Sequence, residues 1–153
     1  MNSLQISSQL DYDPDDKCNY IVSTLSVDDS DFSKGFTIDW ETLAGSCWNS
    51  GEYFILTCSC GNSGCAGIER GIIVIHQKEI VKWLVPEPMD QDSAGTSGIF
   101  TYSEKLFDMK VYIGMIHNAM CELRKLAVEI DPTPVLLPRA FDLVELEKLI
   151  ALF

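Results

Sequence analysis

The sequence predicts an α+β fold: an antiparallel β-sheet from the N-terminal two thirds, packed against a long C-terminal helix, plus a short final helix. Three observations carry this. Short runs rich in β-branched and aromatic residues, separated by Gly, Pro, Asn and Asp, fill residues 1–102, the pattern of strands and turns. Apolar residues then recur at spacings of three and four from Leu106 to Ile130, the period of a buried helical face. Strands come first and helices last, which favours α+β over an alternating α/β order. At 153 residues the chain makes a single domain over 1–153, sheet-forming in 1–102 and helical in 103–153. A chain of this size hides roughly 70% of its extended surface on folding, enough to fold without metal or disulfide.

The elements follow in order. Leu4–Leu10 and Asn19–Val27 read as two strands joined by the acidic, turn-rich stretch Asp11–Lys17. Phe36–Ile38 is a short strand. Asp39 caps a brief helix through Trp40, Leu43 and Ala44, closed by Gly45. Glu52–Cys58 is nearly all apolar, as a central strand requires. Arg70–His76 and Ile80–Val85 form a hairpin across Gln77-Lys78-Glu79, ended by Pro86 and Pro88. Residues 89–98 form a loop, and Ile99–Tyr102 returns to the sheet. Ser103 is the expected N-cap of the long helix, with Glu104 in its first turn. About 26 residues at 1.5 Å each span about 39 Å, and Asp131-Pro132-Thr133-Pro134 stops the helix. Asp142 caps the final helix, and Glu145 completes a capping box.

Charge narrows the function. The net charge is −12, so the surface repels phosphate backbones and anionic lipid; neither nucleic acid nor membrane is an expected partner. Met1-Asn2-Ser3-Leu4-Gln5 lacks the basic-then-apolar pattern of a secretory signal. The expected setting is the cytoplasm, with reduced thiols. Residues 1–60 hold ten Asp and Glu against two Lys, a net of −8. If the 11–16 and 28–31 loops share one side, Asp11, Asp13, Asp15, Asp16, Asp28, Asp29 and Asp31 make a face for a basic protein partner. The plain alternative is that these loops are acidic because they are solvated. Asp11-x-Asp13-x-Asp15 also invites comparison with a calcium loop, but Asp16 and Val22 stand where the EF-hand needs Gly and Glu.

Six cysteines occur, three of them in Cys58-Ser59-Cys60-Gly61-Asn62-Ser63-Gly64-Cys65. Zinc needs four tetrahedral ligands, preferably thiolate and imidazole. Cys58, Cys60 and Cys65 supply three, and His76 is the best fourth, with Cys47 another. One structural zinc would then staple strand, turn and hairpin. The other reading is small buried residues in a tight turn, with no cofactor. No Gly-x-Ser-x-Gly, phosphate-binding loop or His-Glu-x-x-His occurs. A non-enzyme is therefore expected, and a small cysteine-dependent enzyme using Cys65 or His76 is the remaining alternative. Of the two histidines, His117 falls beside the apolar stripe, where solvation is the expectation.

Residues 36–86 resemble a small bacterial protein family of uncharacterised function. The resemblance rests on Ile38-Asp39-Trp40, Gly51-Glu52-Tyr53-Phe54, the turn Cys58-x-Cys60-Gly61 to Cys65-Ala66-Gly67, Gly71-x-x-Val74-x-His76 and Trp83, about a third of the chain. It implies no reaction. In type, the whole package resembles the immunity proteins of bacterial toxin systems, small and acidic without a catalytic motif. That likeness implies a protein that neutralises a cognate toxin, such as a nuclease, by covering its active site.

Overall fold

The computed structural model describes residues 1–87 and 101–153. The expected loop over 89–98, and Ile99 and Phe100 of the expected return strand, lie outside the described residues. The fold is α+β, with antiparallel strands in the first part, a long helix packed on them and a short final helix.

Strands β1 (Leu4–Asp13) and β2 (Cys18–Val27), ten residues each, form an antiparallel hairpin, and β3 (Ser30–Asp31) adds to β2. Strand β4 (Thr37–Ile38) leads into the short helix α1 (Trp40–Gly45) and pairs with β6 (Leu56–Thr57). A four-stranded sheet has the order β5 (Gly51–Tyr53), β7 (Ile72–Gln77), β8 (Ile80–Glu87), β9 (Thr101–Asp108). Helices α2 (Met109–Glu129) and α3 (Leu143–Ile150) complete the chain. Asn2 ties its start to β9: its amide donates to the Leu106 carbonyl at 2.7 Å, and its Oδ1 accepts from the Leu106 amide at 2.7 Å.

One hydrophobic cluster runs through these elements. Val74, Val81, Trp83 and Phe107 are buried on the sheet. Against them α2 sets Tyr112, Ile116, Met120, Leu123 and Ala127, a three-and-four spacing that keeps one face inward. Trp83 meets Phe107 at 5.0 Å and Tyr112 edge-on at 5.8 Å, contacts worth about 0.5–1.5 kcal/mol each beyond area burial. The Tyr112 hydroxyl, 2.7 Å from Ser46 Oγ, accepts from Trp83 Nε1 at 3.2 Å. It thus links α2, the sheet and the end of α1. No helix among the described residues is long and apolar enough to cross a membrane.

Four sequence expectations need correction. The long helix does not start at Ser103. Residues 101–108 pair with β8 in the register Ile80↔Asp108 to Glu87↔Thr101, and Asp108 caps the helix through Val111 N at 3.0 Å. Buried Phe107 belongs to the sheet side of the core. The expected strand Glu52–Cys58 is two strands, β5 and β6, in different sheets. The 11–17 connection is shorter, because β1 continues through Asp11 to Asp13. The capping box forms by half: Asp142 Oδ1 accepts from Glu145 N at 2.9 Å, but the Glu145 carboxylate pairs with Lys148 at 2.6 Å.

Candidate functional site

The seven aspartates do not share one side. The β1–β2 register runs from Leu4↔Val27 to Asp13↔Cys18. It sets Asp11, Asp13, Asp15 and Asp16 at one end of the hairpin and Asp28, Asp29 and Asp31 at the other. Nine steps at about 3.4 Å separate the ends by about 30 Å, more than three times the Debye length of about 8 Å at physiological salt. The premise of a single acidic pole fails on strand geometry.

The two groups also differ in what they do for the fold. Asp28 accepts from Asn2 Nδ2 at 2.5 Å and from Ser3 N at 2.9 Å, so hydrogen bonding, the Ser3 amide first, holds its carboxyl below the ordinary range. Asp31 accepts from Ser33 Oγ at 2.7 Å and from Lys34 N at 2.9 Å, and its carboxyl is likewise lowered, chiefly by the Ser33 hydroxyl. Asp29 accepts from Gln5 Nε2 at 3.1 Å. Asp28 and Asp29 both sit at positive φ, 52° and 62°, where Asp is among the better-tolerated residues. These three carboxylates fasten a turn.

The other end is built for exposure. The core-facing residues of β1 pass from buried Leu4, through half-buried Ile6 and Ser8, to Leu10 and Tyr12, which are 43% and 54% exposed. The strand outruns its covering layer. Val135, bridged to Tyr20 beside it, is 40% exposed. Asp13 Oδ1 accepts from Asp15 N at 2.8 Å and Asp16 N at 3.2 Å, which shapes the turn. The Tyr20 hydroxyl donates to Asp11 at 3.2 Å; desolvation first, then the Asp11 charge, raises its pKa. Asp16 and Arg139 approach to 3.3 Å, an exposed pair worth about 1 kcal/mol at most. The tip therefore joins carboxylates to uncovered apolar groups.

The cysteine turn is a second candidate. One sulfur each from Cys58, Cys60 and Cys65 lies within 4.8 Å of the others. Cys58 and Cys60 are joined as a disulfide, and Cys65 is a free, exposed thiol. The loop is held by short-range bonds. The Cys60 amide points at Cys58 Sγ at 3.3 Å, and Asn62 Oδ1 accepts from Gly64 N at 2.9 Å. Gly61 takes φ +88°, a region open to glycine. Arg139 N donates to Ser59 O at 2.9 Å, anchoring the turn to the segment before α3. These sulfurs fit a thiophilic cation, and the pairing of two of them competes with it.

His76 is not a member of that sulfur group. Its Nε2 lies 2.9 Å from the Ser46 carbonyl, and its amide donates to Ser50 Oγ at 2.9 Å, so it fastens β7 to the segment after α1. Cys47 is no better as a fourth ligand: it is buried, and burial pushes its thiol pKa up to about 12.

Two features escaped sequence reading. His117 Nε2 lies 3.6 Å from Cys121 Sγ, one helical turn on, and His117 stacks on Phe153 at 5.3 Å. The four-residue spacing was the available signal. A cavity of 270 Å³, lined by Tyr20, Thr24, Asp31, Ser33, Phe36 and Trp40 among others, opens beside β2; nothing local in the sequence marks it.

Comparison with protein families, with curated proteins and with solved structures finds no match to this chain.

Proposed function

We propose that this chain is a binding protein that captures a basic protein at the tip of the β1–β2 hairpin, as an immunity protein captures its cognate toxin. The carrying observation is the exposure of Leu10 and Tyr12 at the strand end that also carries Asp11 and Asp13 and leads into Asp15 and Asp16. Carboxylates accelerate encounter with a cationic surface, and a tyrosine beside them supplies buried area once docked. A basic active-site groove, as a nuclease has, is complementary in sign and would be closed to its own substrate. The cytoplasm is the setting this reading requires. Asp28, Asp29 and Asp31 leave the proposed face.

The test is paired capture from the native host, with the wild-type chain and an Asp11→Lys/Tyr12→Ala/Asp15→Lys chain as baits. Asp13 is left in place because it shapes the turn. The expected result is a basic protein held by the first bait, released by salt, lost from the second and inhibited in its own activity by the wild-type chain. Equal retention by both baits removes the tip from the function, and absence of a basic protein from the first removes the function itself.

A second reading, a zinc-stapled structural or adaptor domain, is favoured by the three clustered sulfurs. Thiolates are preferred zinc ligands, and three on one short turn need little rearrangement to converge. Its test is the metal content of the chain purified under reducing conditions, read by native mass spectrometry. One zinc per chain supports it, and a folded zinc-free chain after zinc supplementation ends it.

A further inference from the structure

We propose that Cys58, Cys60 and Cys65 form a redox-gated site for one zinc ion, filled when all three are thiolates and emptied when Cys58 and Cys60 pair. The proposal rests on the zinc reading above and adds its control.

The geometry shows the paired state and keeps the third sulfur beside it. A metal is held by thiolate, and a sulfur bound to another sulfur carries no such charge. The Cys58–Cys60 disulfide leaves Cys65 as the one thiol of the group. A single thiolate without the other two is a poor zinc site. With Cys58 and Cys60 paired, the three sulfurs already lie within 4.8 Å of one another, so reduction frees two thiols beside the third. Zinc–sulfur bonds of about 2.3 Å place tetrahedral ligands about 3.8 Å apart. Closing that difference asks for small side-chain rotations in a loop whose Cys60 and Cys65 are exposed. With His76 engaged at Ser46 and no further ligand grouped with the three sulfurs among the described residues, water completes the tetrahedron.

The chemistry balances with glutathione disulfide as the oxidant. On loading, three thiols exchange three protons for one zinc ion. On discharge, the Cys60 sulfur attacks one sulfur of glutathione disulfide, forming a mixed disulfide and expelling one glutathione thiolate. The Cys58 sulfur then attacks Cys60 of the mixed disulfide, forming the Cys58–Cys60 bond and expelling the second glutathione. Two electrons pass from the cysteine pair to glutathione, and zinc leaves the single remaining thiolate. Exposure of Cys60 gives the oxidant its access. In a reduced compartment the filled form prevails, and oxidation returns zinc to solution.

The test uses the whole reduced chain, zinc chloride and a chromogenic zinc chelator. One zinc should bind per chain. Glutathione disulfide should then release it, with two glutathione thiols formed per zinc and peptide mapping placing the new disulfide at Cys58–Cys60. In Cys65→Ser that disulfide should still form while zinc affinity falls about 100-fold or more; circular dichroism confirms that the variant is folded. A reduced wild-type chain that takes no zinc overturns the zinc reading and this proposal together. Zinc that stays bound through the oxidation, or a disulfide mapped elsewhere, overturns the gating alone.

Discussion

Two buried hydroxyls of this molecule differ in their partners. Tyr112 is fully buried, and desolvation raises its phenol far above the ordinary range, so it stays neutral and pairs with Ser46 and Trp83. Thr57 Oγ1 is buried with no hydrogen-bond partner among the described residues. Removing a hydroxyl that others depend on strands their polar atoms, whereas removing one that nothing uses relieves a cost. Tyr112→Phe should therefore lose about 1–3 kcal/mol, and Thr57→Val should be neutral or stabilising. Urea denaturation of both variants decides. Equal losses would mean that the Tyr112 network contributes nothing beyond shape. The two fully buried tryptophans, Trp40 and Trp83, sit in segments that the sequence marks as a brief helix and a strand. Tyr112 is not marked as a core residue, because the neighbouring Ile113 fits the apolar stripe better and hides the residue that faces the core.

Where local chemistry decides, the sequence marks the elements directly. Asp39 and Asp142 cap α1 and α3 as expected, each accepting a backbone N–H at 2.9 Å. Leu106 and Met109 continue the helical spacing backwards and predict an early start for α2, but eight paired positions against β8 hold 101–108 extended. Pairing with a distant strand outweighs a spacing that a few residues satisfy by chance. This locates the cap on Asp108, and a substitution there tells the two starts apart. Asp108→Ala should cost about 1 kcal/mol, the usual price of a lost N-cap, whereas Ser103→Ala on the strand should change stability by less than about 0.5 kcal/mol. Thermal melts of the two variants check this, and a reversed order would return the helix start to Ser103. The cysteine turn is legible for the same local reason, since its three cysteines fall within eight residues. His76 is not, because the partner of its ring is set by how β7 packs beside the end of α1.

For the whole molecule, strand register turns one apparent acidic region into two with separate duties. Composition showed the excess of charge in residues 1–60 but not its division, since a hairpin of ten-residue strands can bring neighbours in sequence together or carry them about 30 Å apart. The tip carboxylates stand with exposed apolar groups and serve a partner in the reading proposed above, while Asp28 and Asp31 serve the fold. Their carboxyls titrate below the ordinary value of 3.8 because backbone and hydroxyl donors stabilise the charged form. A group with a depressed folded-state pKa contributes stability above its unfolded pKa and loses it as pH falls through the folded one. The contribution of Asp28 and Asp31 is thus complete well above pH 3.8 and fades below it. The Asp28→Asn/Asp31→Asn chain should be less stable than wild type at pH 7, and the gap should narrow by pH 3. Denaturant midpoints across that range measure it. The same chain should hold the captured partner as the wild type does, since its tip is untouched. A gap that is constant with pH would mean that the two carboxylates do not fasten the turn by charge, and lost capture would move the docking face to the opposite end of the hairpin.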